Sequence, residues 1–228
     1  MRKNILLILI LFLLAAASAW AATDEEQPFY QSATINGPTG LLTIPTARVL
    51  DNGYYSLAAH KYLFNANYGI LSVAELGARV DAELFTPDKD QHRRLTLHGK
   101  YNFLSAADHP VAATVGFYYR DIYLSVDKSW PNFYNLFMTA GVKLRDDGRW
   151  RAMFGVSKIV NTSQFIFDKE GGTYNFGYRI LLAPKIKLDL GLVNLQDIEH
   201  FGFDNLTFGL NFSEPLFPSD KKNKWYQN

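Results

Sequence analysis

From residue 53 to residue 212 the chain is a succession of short segments in which apolar and polar residues alternate. In the last of them Leu206, Phe208, Leu210 and Phe212 interleave with Thr207, Gly209 and Asn211. The segment before it sets Ile186, Leu188, Leu190 and Leu192 against Lys185, Lys187, Asp189 and Gly191. Successive strand side chains point to opposite faces, so each segment has one greasy face and one wet or charged face. Lengths of roughly nine to eleven residues match a strand that crosses a bilayer at a tilt. The pattern predicts an all-β fold, an antiparallel transmembrane β-barrel with lipid outside and a polar lumen.

Eleven clear segments cover 53–62, 74–84, 94–103, 111–119, 122–126, 133–144, 150–158, 164–167, 173–182, 185–193 and 205–212. A weaker one at 67–71 reads as a short strand or a loop. Single-chain bacterial barrels carry an even number of strands, which makes twelve the first reading and ten the second. Asp146-Asp147-Gly148 is a tight-turn signal between two of the segments, and residues 129–132 turn the chain around Trp130-Pro131. Helical periodicity is absent apart from a single turn at 195–200.

The N-terminus reads as a signal peptide over residues 1–21. Arg2 and Lys3 precede an apolar run at 5–17, and Ala19-Trp20-Ala21 is a small-x-small cleavage site. An N-terminal arm (22–36) leads into the barrel region (37–212), which opens on an entry loop at 37–48. A polar tail follows at 213–228. Two Gly and two Pro in the entry loop, with Asn52-Gly53 just beyond, are turn chemistry. Gly40 and Gly53 are expected to need backbone angles that other residues resist, and Pro45 to fix a bend.

Composition narrows the class. A net charge of +1 lacks the basic excess of a nucleic-acid binder. With no cysteine there are no disulfides, no thiolate metal site and no lipid-modified cysteine. Tyr54, Tyr62, Tyr101, Tyr119, Trp130, Tyr134, Trp150 and Tyr174 fall near segment ends, as interfacial aromatic girdles do. An exported barrel of this kind belongs in the outer membrane, with its lipid and its assembly machinery as partners. The alternative fold is a soluble periplasmic β-sandwich or lipocalin-like barrel with the apolar face inward.

Charged residues lie in mid-strand on the polar faces. Glu75, Arg79, Asp81 and Glu83 share one segment and are expected to pair across the lumen with Lys100, Arg151, Arg179, Lys185, Lys187 and Asp189. Mixed signs favour a plugged interior, since a selective pore tends towards rings of one sign. Arg48 is expected to reach one of these carboxylates, Glu75 or Asp81. No catalytic, cofactor or metal site is predicted. An interfacial lipid-modifying enzyme is the alternative, built on His98 or His60 among the five histidines, but no G-x-S-x-G or H-E-x-x-H motif supports it.

The loop GPTGLLTIPTA at 37–47, with Asp51-Asn52-Gly53 soon after, resembles the entry motif of YjbH-type outer-membrane β-barrel proteins. Gly37, Gly40, Pro45, Thr46, Ala47 and Arg48 belong to it. The likeness continues in order through Glu75-Leu76-Gly77-Ala78-Arg79, through residues 110–121 with Val115-Gly116-Phe117, and through 125–128. It ends with Phe167-Asp168, Asn175-Phe176-Gly177-Tyr178-Arg179 and Phe208-Gly209-Leu210-Asn211-Phe212. The resemblance implies a non-enzymatic barrel associated with exopolysaccharide production or export. Its implied partners are a polysaccharide or polysaccharide-export proteins.

Overall fold

The computed structural model describes residues 29, 31–81, 95–106, 109–130, 133, 135–196 and 202–216. The predicted signal peptide, Glu83, Tyr134 and the tail beyond 216 lie outside the described residues.

Twelve strands follow in chain order: β1 (Tyr54–His60), β2 (Leu63–Ile70), β3 (Ala74–Asp81), β4 (Leu95–Leu104), β5 (Ala112–Tyr118) and β6 (Asp121–Trp130). They continue with β7 (Leu136–Leu144), β8 (Trp150–Val160), β9 (Ser163–Glu170), β10 (Thr173–Ala183), β11 (Ile186–Leu192) and β12 (Leu206–Pro215). Each pairs antiparallel with its sequence neighbours, and β1 closes on β12 through pairs running from Tyr54↔Pro215 to His60↔Gly209. The ladder therefore has no free edge, as lipid demands of a spanning sheet. A closed single ladder overturns the two-sheet sandwich.

The weak segment near residue 67 is a full strand, β2, paired along its length with β1 and β3. Asn65 and Asn67 face inward while Phe64 and Tyr68 face outward; a small Ala66 and Gly69 blur the contrast. β6 runs through Trp130, where a turn was expected, because Ser129 and Trp130 pair with Phe137 and Leu136. β12 continues to Pro215 by pairing with Tyr54, so the first residues of the predicted tail are strand.

Side-chain direction follows the alternation, with the apolar face outward. In β12 Leu210 is 51% exposed while the adjacent Asn211 is 0% exposed. This overturns the lipocalin-like alternative, whose grease points inward. Tyr62, Tyr119, Trp150 and Tyr174 lie exposed near one mouth, and Tyr101 and Tyr68 towards the other. Tyr54 departs from the girdle, since it shares the inward phase of Ser56.

β1 starts and β12 ends at the same mouth, here the terminal mouth. The opposite mouth carries the turns at 61–62, 119–120, 145–149 and 171–172 and the two longest connections, 82–94 and 193–205. At 145–149 Gly148 takes φ +77°, and Arg149 donates to the Asp147 carboxylate at 2.6 and 2.8 Å. Those hydrogen bonds hold the Asp147 carboxyl below its usual pKa.

Residues 32–50, just ahead of β1, lie inside the lumen. Phe29, Ala33, Leu41, Leu42, Ile44, Ala47 and Leu50 are each at most 1% exposed. The buried stretch begins before Gly37, so the end of the predicted arm belongs to it.

The wall orientation predicts an asymmetric response to charge. Leu210→Arg, at the middle of β12 on the outer face, should cost about 2–4 kcal/mol, whereas Leu210→Phe should cost little. Urea titration of the heat-modifiable folded band in lipid vesicles measures both. Equal stability of the two variants would overturn the outward assignment.

Candidate functional site

The buried segment folds on itself before it meets the wall. Thr34 N–H donates to Pro38 O, Ile35 N–H to Leu42 O and Gly40 N–H to Ser32 O, each at 2.9 Å. Bridges join Ala33 to Thr39 and Gly40 to Pro45. Gly40 is required here for space rather than for backbone angle: a Cβ would sit 2.3 Å from the Ile44 carbonyl oxygen. Gly53 does take a positive φ, +75°.

A coil this short leaves many amides without partners of their own, and buried amides must be satisfied. The wall supplies them. Asp168 accepts from the N–H groups of Leu42 and Thr43 at 3.0 and 2.8 Å and from the Thr43 hydroxyl at 2.7 Å. Glu75 accepts from Thr39 N–H at 2.9 Å and its hydroxyl at 2.6 Å, and from Leu50 N–H at 3.3 Å. Asp127 takes Ala47 N–H at 2.7 Å. Carbonyls are met by cations and amides. Lys100 donates to the oxygens of Thr39, Thr46 and Arg48, and Arg179 to those of Phe29, Gly40 and Leu41. Asn65, Asn67 and Asn102 donate to Thr34 O, Gly37 O and Ala47 O.

Apolar contacts complete the plug. Leu41, Leu42 and Ile44 cluster with Tyr123, Phe137, Met153 and Ile166 on the wall; burying each such aliphatic side chain contributes about 1.5–3 kcal/mol. Gly155 clears the space for Leu41, whose Cδ1 lies 2.3 Å from where a Cβ would be.

The lumen is closed by this packing. Around the wall Glu75, Thr114, Ser125, Thr139, Asp168, Arg179, Asp189 and Asn211 are 0–1% exposed and Lys100 4%. A water-filled passage beside them would leave these side chains wet.

Of the predicted charges that the structure describes, all but Lys185 are on the inner side of the wall, but not as one network. Glu75 lies 3.7 Å from Lys100 at one depth, and Arg179 donates to Asp189 at 2.7 Å at another. Arg151 lies 4.0 Å from Glu170 near the mouth, where Glu170 also pairs with Lys143. Arg79 stacks over the Tyr118 ring at 5.0 Å. Lys187 donates to Ser213 at 2.9 Å. Lys185 is not lumenal: it sits in the β10–β11 turn and pairs with Glu214 at the surface. Arg48 donates to the Ser129 hydroxyl and lies 5.2 Å from the Phe137 ring centroid, while the Glu75 carboxylate expected for it takes Thr39, Leu50 and Lys100.

The two histidines of the enzyme alternative face the lumen rather than lipid. His98 Nε2 lies 2.5 Å from Asn67 Oδ1, and His60 Nε2 lies 2.9 Å from Asp189 and 3.3 Å from Asn211. Among the described residues no three His, Asp or Glu side chains gather to hold a metal ion.

A cavity of about 460 Å³ opens at the mouth opposite the termini. Its floor is Ile35, Asn36 and Thr43, the residues of 32–47 that are not fully buried. Lys61 and Arg151 face it together with Asp81 and Glu170, so its charges balance.

No known protein family's profile matches the chain, and no curated protein matches it. Among solved structures it is similar to a KdgM porin in complex with disordered oligogalacturonate, at 9% identity and a TM-score of 0.45. It is likewise similar to a KdgM porin at 9% identity and a TM-score of 0.43. Both likenesses cover 70% of this chain and 96% of the porin. At that distance nothing about ligand or transport passes from those chains to this one.

Sequence reasoning did not assign plug-holding roles to Asp168, Asp127, Asn65, Asn67 and Asn102. Asn67 and Asn102 fall within segments read from the alternation, Asn65, Asp127 and Asp168 just beyond them, and the partners of all five are backbone groups that no pattern of charges announces.

Two substitutions test the plug. Asp168→Ala strands the Leu42 and Thr43 N–H groups and should cost about 1–3 kcal/mol for each, read as a lowered urea midpoint of the folded band. Gly155→Val should cost about 1–3 kcal/mol by overpacking, and Leu41→Ala in the same chain should recover part of that loss. Additive destabilisation in the double variant would mean that the two residues do not touch.

Proposed function

We infer that this chain is an outer-membrane barrel held shut by its own N-terminal segment, serving the envelope without catalysis and assisting the production or export of an exopolysaccharide. The observation that carries the closed state is the near-zero exposure of inward-facing side chains around the wall. The apolar exterior and edgeless ladder support the membrane, where outer-membrane lipid and the assembly machinery are its partners. Longer connections at the mouth where the cavity opens support its facing outward, since barrels of this kind carry short periplasmic turns and longer external loops.

The polysaccharide role rests on the resemblance to YjbH-type barrels. The residues that carry the resemblance are largely those of the plug and its anchors: residues 37–47 lie within the plug, and Glu75, Asp168, Asn175, Arg179 and Asn211 all hold it or one another. A motif concentrated on plug and anchors fits a barrel whose shut state is its working state.

Planar-bilayer recording tests the closed reading. The intact chain should show no stable conductance, and a chain lacking residues 32–47 should conduct if it assembles; steady channels from the intact chain would overturn it. Loss of secreted polysaccharide on deleting the gene, restored by the intact chain, tests the export role.

A further inference from the structure

We propose that the cup at the outer mouth is a saccharide-binding site, with the plug as its floor. The proposal rests on the outward-facing, polysaccharide-associated reading above and names the contact that such a barrel makes.

The plug is buried everywhere along 32–47 except at Ile35, Asn36 and Thr43, and those three residues together form the cup floor. They offer an apolar patch beside an amide and a peptide edge. Sugars present that same mixture, C–H faces flanked by hydroxyls. The floor is rigid, because Asn36 donates to Thr43 O at 2.7 Å and the Thr43 hydroxyl is clamped between Asp168 and Asn175 at 2.7 and 2.9 Å. A pre-ordered floor lowers the entropy lost on binding.

The walls add matching groups. Arg151, with its side chain 39% exposed, offers a fork of N–H donors to vicinal hydroxyls or to a sugar carboxylate. Thr173 offers a hydroxyl, and Tyr62 at the rim an aromatic face with a polar tip. Among the described lining residues Lys61 and Arg151 balance Asp81 and Glu170, a mixed set suited to hydroxyls more than to a single sign of charge. The volume, about 460 Å³, falls in the range of small-ligand sites, roughly 300–1,000 Å³.

Calorimetric titration of the detergent-solubilised full chain with cellotetraose, maltotetraose and tetragalacturonate tests the site. At least one should bind saturably. Asn36→Leu and Arg151→Gln should each weaken that binding tenfold or more while the gel shift on heating is unchanged. Arg149→Gln, on the same mouth but outside the cup, should leave it as it was. A preference for tetragalacturonate that Arg151→Gln removes assigns the arginine to a sugar carboxylate; binding of the neutral tetramers assigns it to hydroxyls. Failure of all three to bind, or binding that the cup variants leave intact, overturns the proposal. Conductance of the intact chain would overturn the closed lumen without bearing on these titrations, so the two readings fail separately.

Discussion

A peptide segment enclosed by a β-barrel is cut off from water, so every amide that its own turns do not satisfy must be answered by the wall. That requirement organises this interior. Asp168, Glu75 and Asp127 take N–H groups, while Lys100, Arg179 and three asparagines take carbonyls. Glu75 and Lys100 are directed at backbone first and at each other second, while Arg179 divides its donors between the plug and Asp189. Buried ionic groups are tolerable when their hydrogen-bonding capacity is filled, and for Asp168, Glu75 and Lys100 much of the filling is done by the plug.

The strands were legible because lipid and a packed polar lumen impose opposite demands on alternate residues. β12 and β11 show this at nearly every position. β2 was harder to see, since the small Ala66 weakens the outward face that Phe64 and Tyr68 define and Gly69 adds no polar side chain to the inward face of Asn65 and Asn67. Inward phase was also legible, which is why Glu75, Lys100, Arg179 and Asp189 were expected in the lumen. Their pairing was not, because it depends on depth within the barrel and on a segment from elsewhere in the chain. Arg48 illustrates the point. Its charge suggested a carboxylate, but the plug's path brings it to Ser129 and the Phe137 ring.

Closure and recognition are joined in one element. Along 32–47 the plug is buried against the wall except at Ile35, Asn36 and Thr43, which are what the outer mouth displays. A change at an anchor such as Asp168 therefore reaches the cup through Thr43, which it holds by both backbone and hydroxyl. Shape at the mouth is set by hydrogen bonds one layer below it.

The plug also constrains time. It runs straight into β1 and is bonded to Asn211 on β12, the two strands that meet where the cylinder closes. A cylinder zipped beforehand would have to draw in some twenty residues of unsolvated backbone through a mouth narrowed by its own side chains. Wrapping the wall around a segment already in place avoids that cost. The segment is a mandrel tied to both strands of the seam, continuous with one and hydrogen-bonded to the other.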